Sequence, residues 1–141
     1  MKKKVLFICT HNSARSQMAE GLLNHLYESG YEAYSAGTRP SIVNPFAIKA
    51  MAEIGIDISG RRSKGIDEFK DMNFDCVVTV CDHAKETCPF FSGAKESRHK
   101  NFDDPSDSDG TEENILKCFR RVRDEIKDWL SKTFGKKDEI N

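Results

Sequence analysis

A cysteine and an arginine six residues apart form the pair of side chains best suited to chemistry on an anion. Cys9 ends a short apolar run, and Arg15 stands where a helix is expected to begin. A loop wrapped between them can direct backbone N–H groups inward, and the helix N-terminus adds partial positive charge. Arg15 can hold two oxygens of an anion, the same field stabilises a thiolate at Cys9, and Ser16 can donate to the sulfur. Segment 9–16 therefore predicts capture of a tetrahedral oxyanion and attack on it by the Cys9 thiolate.

Two further cysteines could carry redox chemistry. Cys81 lies at the end of an apolar, β-branched run, and Cys88 follows seven residues later. Thiols in series can deliver two electrons by exchange, and the polar segment 82–87 between them suits a marginal helix that could loop out. From spacing alone, two unrelated cysteines are an equally good interpretation.

An acidic residue before a proline is a candidate proton donor. Asp104 follows Asp103 and precedes Pro105. A carboxylic acid on a loop near the nucleophile can protonate a departing oxygen. Taken by itself, the sequence fits a plain Asp-Pro turn better.

The rest of the pattern predicts strands alternating with helices. Cys9 ends a nearly continuous apolar run, as expected for a strand covered on both faces in a parallel sheet. We expect Gly30 to close the first helix in a left-handed conformation, and Ala52 to face inward on the second. Expected strands are 4–9, 31–36, 74–81 and one within 97–102; expected helices begin near 14, 45, 66 and 112. The predicted class is a three-layer α/β/α domain over 1–134, with a polar tail at 135–141.

Composition limits the possible partners and compartment. Lys plus Arg number 22 against 23 Asp plus Glu, so no nucleic acid or membrane surface is expected as a partner. Five cysteines without an export signal indicate a cytoplasmic protein rather than a disulfide framework. Cys76 and Cys118 are interpreted as packing residues. No histidine has metal-ligand spacing with the cysteines, so no metal site is expected.

Several segments in order carry a family resemblance. The loop and the helix start that follows resemble the nucleophile loop of the low-molecular-weight tyrosine phosphatase fold, and the chain is most similar to the thioredoxin-coupled arsenate reductases. The matching segments are 9–21, 35–38, 43–45, 102–105 and 121–126. The resemblance runs from about residue 4 to 131 and implies a central four-stranded parallel sheet.

The resemblance also implies roles for individual residues. The catalytic set would be Cys9, Arg15, Ser16, Cys81, Cys88 and Asp104. The oxyanion would be bound by Thr10, His11, Asn12, Ser13, Ala14 and Arg15. Arsenate would be attacked by the first thiol, and arsenite released as a disulfide forms. Thioredoxin would reduce the final disulfide, with no tightly bound cofactor, and we expect a monomer.

Two other functions fit the same loop. One is a phosphatase acting on phosphotyrosine or small phosphomonoesters. The polar, acidic segment 106–109 offers no aromatic wall for a tyrosine ring and would repel an acidic peptide. The other is a non-catalytic oxyanion or redox sensor, which would have no need for the acid Asp104.

Potassium dependence is a point of departure from the family. The resemblance implies an ion near the loop, held by residues matching Asn12, Glu20 and Ser35 and by a further carboxylate. The position of that carboxylate is occupied by Lys64. An ammonium group could replace the ion electrostatically, so we expect weak or absent potassium activation.

Overall fold

The computed structural model describes residues 2–87 and 91–135, and four parallel strands form one sheet within them. The strands are β1 (Lys3–Cys9), β2 (Tyr31–Gly37), β3 (Phe74–Thr79) and β4 (Ala94–His99), in the order β2-β1-β3-β4. The helices are α1 (Arg15–Leu26), α2 (Pro45–Ala52), α3 (Asp82–Thr87) and α4 (Glu112–Phe134), with short 3₁₀ helices at Ile66–Phe69 and Pro105–Asp107. The predicted α/β class and four-stranded parallel sheet are confirmed.

The central strand β1 is buried because its side chains are apolar on both faces. Leu6, Phe7 and Ile8 are fully buried, as the continuous apolar run predicted. Burial of each such side chain stabilises the folded state by about 1.5–3 kcal/mol, whereas a surface ion pair stabilises it by about 0–1 kcal/mol. This strand therefore gives the nucleophile loop, which follows it directly, a firm base.

The long helices cover the sheet with apolar faces at helical spacing. Their buried side chains are Met18, Ala19, Leu22 and Leu23 on α1, and Phe119, Val122, Ile126, Leu130 and Phe134 on α4. None of the helices in the described ranges has both the length and the apolar character needed to cross a bilayer.

Helix α2 begins as the sequence predicted. Asn44 caps it, because the Asn44 side-chain oxygen accepts a hydrogen bond from the Phe46 N–H at 2.8 Å. The expectation for Ala52 was wrong, since Ala52 is exposed and Ala50 is buried instead. The inward face follows the spacing of Ala47, Ala50 and Met51.

Three other expectations are corrected. Gly30 does not have the left-handed conformation, because α1 already ends at Leu26 and a turn intervenes. The helix expected over 66–72 is only the 3₁₀ turn Ile66–Phe69. The fourth strand starts earlier than expected, at Ala94, since an exposed edge strand has no apolar run to mark it.

Candidate active site

The loop between β1 and α1 lies where ligands bind in parallel sheets, beyond the carboxyl ends of the strands. Cys9 is the last residue of β1, and Arg15 is the first of α1. Asn12 takes a left-handed conformation, with φ of 51°. Asparagine tolerates that region better than most residues, so it suits this tight bend.

The loop turns its carbonyl oxygens outward. Each carbonyl from residue 9 to 14 accepts a hydrogen bond from a group that surrounds or follows the loop. The donors are, in order, the N–H groups of Thr38, Arg39 and Ser41, Gln17 Nε2, and the N–H groups of Asn44 and Met18. A trans peptide places its N–H opposite its C=O, so the N–H groups of 10–15 turn toward the loop centre. That arrangement can bind an oxyanion.

A hydrogen-bond chain reaches the nucleophile from inside the loop. Asn12 Nδ2 donates to Ser16 Oγ at 2.8 Å, and Ser16 Oγ lies 2.8 Å from Cys9 Sγ. Since the Ser16 oxygen already accepts from Asn12, its own hydrogen is available to the sulfur. The Oδ1 atom of the same Asn12 side chain accepts hydrogen bonds from Gln17 Nε2 and from the Lys64 N–H. These two bonds stabilise the left-handed bend at Asn12. The Ser16 hydroxyl can therefore donate a hydrogen bond to the Cys9 sulfur.

Gly37, at the end of β2, is in close contact with the nucleophile loop. A Cβ at this position would lie 2.7 Å from the Thr10 oxygen and 2.8 Å from the Asn12 nitrogen. Both are backbone atoms, so neither can rotate away. Only glycine allows the loop to approach this strand so closely.

Arg15 and Asp104 face each other across the site. One terminal nitrogen of Arg15 donates to the Phe102 carbonyl at 3.1 Å, and the other lies 3.4 Å from Asp104 Oδ2. Asp104 Oδ1 accepts from both the N–H and the hydroxyl of Ser106. The guanidinium is nearly buried, and these partners hold it in place. Asp104 therefore lies where a leaving oxygen of a bound anion could reach it.

The loop opens into a cavity of about 220 Å³. Its lining residues are Cys9, His11, Ser13, Ala14, Arg15, Ser41, Asn44, Asp104 and Ser106. Among the described residues, no Phe, Tyr or Trp side chain lines this cavity. His11 is exposed, and its Nδ1–H donates to the Arg39 carbonyl at 3.0 Å. The cavity suits a small, compact anion.

A second thiol adjoins the loop. Cys81 lies just beyond the end of β3, the neighbour of β1, and it is 3% exposed. Its sulfur lies 3.4 Å from the Thr10 hydroxyl and accepts the Ala84 N–H at 3.4 Å. It also lines an open groove of about 290 Å³ that shares Arg15 and Asp104 with the first cavity. The fold thus brings Cys81 next to the residue that follows Cys9.

The other cysteines have different surroundings. Cys88 lies outside the described residues. Cys76 lies within β3, and burial, followed by the nearby Glu96 carboxylate, raises its pKa to about 11. A thiol with so high a pKa is a poor nucleophile at neutral pH. Cys118 is half-buried on α4.

A cluster of cations surrounds the buried Glu20 behind the loop. The Glu20 carboxylate pairs with Arg61, lies 3.8 Å from Lys64 Nζ, and accepts the Ser35 hydroxyl at 2.5 Å. Burial, then the nearby guanidinium groups of Arg62 and Arg61, lower the pKa of Lys64 to about 8. Arg61 is therefore the more persistent cation of the cluster, and sequence reasoning, which singled out Lys64, missed it.

Comparisons with known proteins agree with this arrangement. A family model described as low molecular weight phosphotyrosine protein phosphatase matches residues 4–140. An arsenate reductase of Halalkalibacterium halodurans is 50% identical over 125 residues, which are 89% of this chain and 90% of that protein. An arsenate reductase of Bacillus subtilis is 46% identical over 127 residues, 89% of this chain and 91% of its own length.

A solved structure, described as an arsenate reductase in the phosphate binding state, superposes with a TM-score of 0.82 at 34% identity. The superposition covers 96% of this chain and 98% of the other. Fold and sequence thus agree over almost the full length. The chain belongs to the low molecular weight phosphotyrosine protein phosphatase family.

Proposed function

We propose that this chain is an arsenate reductase that uses a relay of three thiols. The observation that carries the proposal is the second buried thiol, Cys81, whose sulfur lies 3.4 Å from the hydroxyl of Thr10 in the nucleophile loop, which we also call the oxyanion loop. A phosphatase needs one cysteine, whereas a reductase must supply two electrons. The relatives named arsenate reductase support the same choice.

The first step joins sulfur to arsenic. Arsenate binds the inward N–H groups of the loop and Arg15, and the Cys9 thiolate attacks the arsenic. An As–O bond breaks as the S–As bond forms, and Asp104 protonates the departing oxygen, which leaves as water. Arsenic is still pentavalent at this stage. Ser16 stabilises the thiolate before attack.

The second step transfers two electrons. The Cys81 thiolate attacks Cys9 Sγ, and the electron pair of the S–As bond stays on arsenic, which leaves as trivalent arsenite. The two thiols have become a Cys9–Cys81 disulfide. The Cys88 thiolate then attacks Cys81, which forms a Cys81–Cys88 disulfide and frees the Cys9 thiolate.

The final disulfide needs an external dithiol, and thioredoxin is the reductant that we propose. Its two thiols would become a disulfide as Cys81 and Cys88 return to thiols, so atoms and electrons balance. A relay that must be reduced after each turnover belongs in a reducing compartment, for which we propose the cytoplasm. All three thiols lie on one chain, so a monomer suffices.

Phosphatase activity is the second candidate, because the same loop could attack phosphate esters. The cavity rim is formed by small polar residues such as Ser41, Asn44 and Ser106, which offer no stacking surface for a phosphotyrosine ring. Asp103 and Asp107 on the adjoining groove would repel an acidic peptide. We expect hydrolysis only as a weak side reaction.

Two assays on the purified full chain separate these functions. Arsenate-dependent oxidation of thioredoxin is measured beside hydrolysis of p-nitrophenyl phosphate. We expect sustained thioredoxin oxidation that requires arsenate. Hydrolysis without reductase turnover would establish a phosphatase, and a chain with neither activity would indicate a sensor.

We also propose that the reaction does not need potassium. The oxygens that would bind the ion already accept hydrogen bonds or face cations. Glu20 is engaged by Arg61, Lys64 and Ser35, and Asn12 Oδ1 accepts two N–H groups. The buried Gln17 Oε1 has no hydrogen-bond partner among the described residues. One oxygen, however, cannot replace the several water ligands that a potassium ion loses when it binds. The residues present do not fit the ion.

Potassium and sodium chloride at equal ionic strength are therefore expected to give the same kcat/KM for arsenate and the same Tm. Faster turnover or a higher Tm in potassium would contradict the proposal. The double variant Arg61→Gln/Lys64→Asp removes both cations and adds a carboxylate. We expect it to gain a potassium-dependent rise in Tm, whereas Arg39→Gln, at an exposed arginine, should not.

A further inference from the structure

A histidine outside the anion site joins the ends of two strands to the start of α3. His99, the last residue of β4, pairs in register with Thr79, the last residue of β3. Thr79 Oγ1 lies 2.8 Å from His99 Nδ1, and His99 Nε2–H donates to Asp82 Oδ1 at 2.7 Å. The Thr79 hydroxyl can donate to or accept from Nδ1, so the Nε2–H is available to Asp82 in either charge state of the ring.

Few other contacts hold α3. The helix has six residues, all described, and of these only Ala84 is buried. An isolated helix of this length is unstable in water, so its tertiary contacts decide whether it forms. The Asp82 N–H also donates to Asn101 Oδ1 at 3.0 Å. The hydrogen bonds that α3 makes to Asn101 and His99 are therefore at its first turn, directly after Cys81, while Ala84 is buried and the helix contacts β1 and β3.

The final disulfide of the relay is disfavoured by a helix between its two cysteines. Cys81 precedes the helix, and Cys88 follows it. A helix continuous from Cys81 to Cys88 would separate their Cα atoms by about 10 Å, whereas the Cα atoms of a disulfide lie about 4.4–6.8 Å apart. Unwinding part of α3 therefore makes it easier for the two sulfurs to bond.

We propose that His99 and Asp82 form a latch that sets the balance between folded and unwound α3, and thereby the reduction potential of the Cys81–Cys88 pair. The inference rests on the proposed relay. With the latch closed, Cys81 is buried, accepts the Ala84 N–H and faces Thr10, as attack on the Cys9 adduct requires. Opening the latch breaks one hydrogen bond, transfers no electron, and frees the segment after Cys81. His99 and Asp82 are positioning residues, since neither exchanges electrons.

The experiment isolates the pair in a Cys9→Ser background. The full chain is equilibrated in thiol–disulfide buffers, and the Cys81–Cys88 disulfide is quantified by peptide mass spectrometry. The variants are His99→Ala, Asp82→Ala and the double variant, with His25→Ala, at an exposed histidine on α1, as the matched control. Because the Asp82 side chain is 69% exposed, we expect an effect within the range measured for exposed pairs.

Each single variant should raise the equilibrium ratio of disulfide to dithiol about threefold. This change lowers the reduction potential of the two-electron couple by about 14 mV. The double variant should exceed the larger single effect by little, because both substitutions break one bond. Amide hydrogen exchange of 83–87 in the reduced chain should accelerate in His99→Ala, with β1 unchanged.

An equilibrium in His99→Ala equal to that of His25→Ala, or additive effects in the double variant, would overturn the latch and leave the relay intact. A disulfide that forms in none of the variants would overturn the relay, and the latch with it.

Discussion

Replacing Cys81 with serine is expected to abolish repeated arsenate reduction while leaving the oxyanion loop functional. The thiolate of Cys81 is the group that displaces arsenite from Cys9, and a hydroxyl cannot form the disulfide. We expect the steady-state rate with thioredoxin to fall by about 1,000-fold or more, the scale seen when a covalent-catalysis residue is removed. The measurement is arsenate-dependent thioredoxin oxidation, coupled to NADPH consumption.

The same variant should keep the loop chemistry, because Cys9, Ser16 and Arg15 make their contacts without the Cys81 sulfur. Phosphate binding and any slow hydrolysis of p-nitrophenyl phosphate should be unchanged. Cys118→Ser, at a half-buried thiol on α4, is the matched control and should reduce arsenate at the normal rate. Multiple turnovers in Cys81→Ser would contradict the relay.

The second large effect is expected from Gly37→Ala. The added Cβ would lie 2.7 Å from the Thr10 oxygen and 2.8 Å from the Asn12 nitrogen, distances that force the loop backbone to move. A shift of about 1 Å in a reacting group can cost about 100-fold in rate, so we expect that loss in kcat/KM for arsenate. Crowding of this kind also costs about 1–3 kcal/mol of stability.

Gly30→Ala is the matched control for this substitution. No atom lies within 4 Å of a Cβ built at Gly30, and its φ is not positive. We expect normal activity from it. Circular dichroism and phosphate affinity of Gly37→Ala distinguish a displaced loop from an unfolded chain. A folded Gly37→Ala protein with normal kcat/KM would show that the close approach does not shape the site.

The elements with strong local patterns were predictable from sequence. The apolar run that ends at Cys9 specified β1, and the three/four spacing of apolar residues specified α1 and α4. The edge strand β4 was misplaced by a few residues because its exposed side chains alternate too weakly. Helix α3 contacts β1 and β3 and is hydrogen-bonded to His99 of β4, and the sequence could suggest only a marginal helix.

The oxyanion loop could be predicted because its chemistry is contiguous in the chain, from Cys9 to Ser16. The contacts that shape and support it come from distant segments and leave no local pattern. Gly37 approaches the loop from β2, and Arg61 reaches Glu20 on α1. For Gly37, the available clue was a glycine at the end of a strand next to β1. For Arg61, nothing in the sequence spacing distinguished it from its neighbours.

The most direct test of the three-thiol relay is a single-turnover experiment on Cys88→Ser. The variant should release one arsenite per chain from added arsenate and then stop, even with excess thioredoxin, because the relay ends at the Cys9–Cys81 disulfide. Peptide mass spectrometry should find that disulfide in nearly every chain. Repeated arsenite release by Cys88→Ser, or a single turnover that leaves Cys9 and Cys81 as free thiols, would contradict the account.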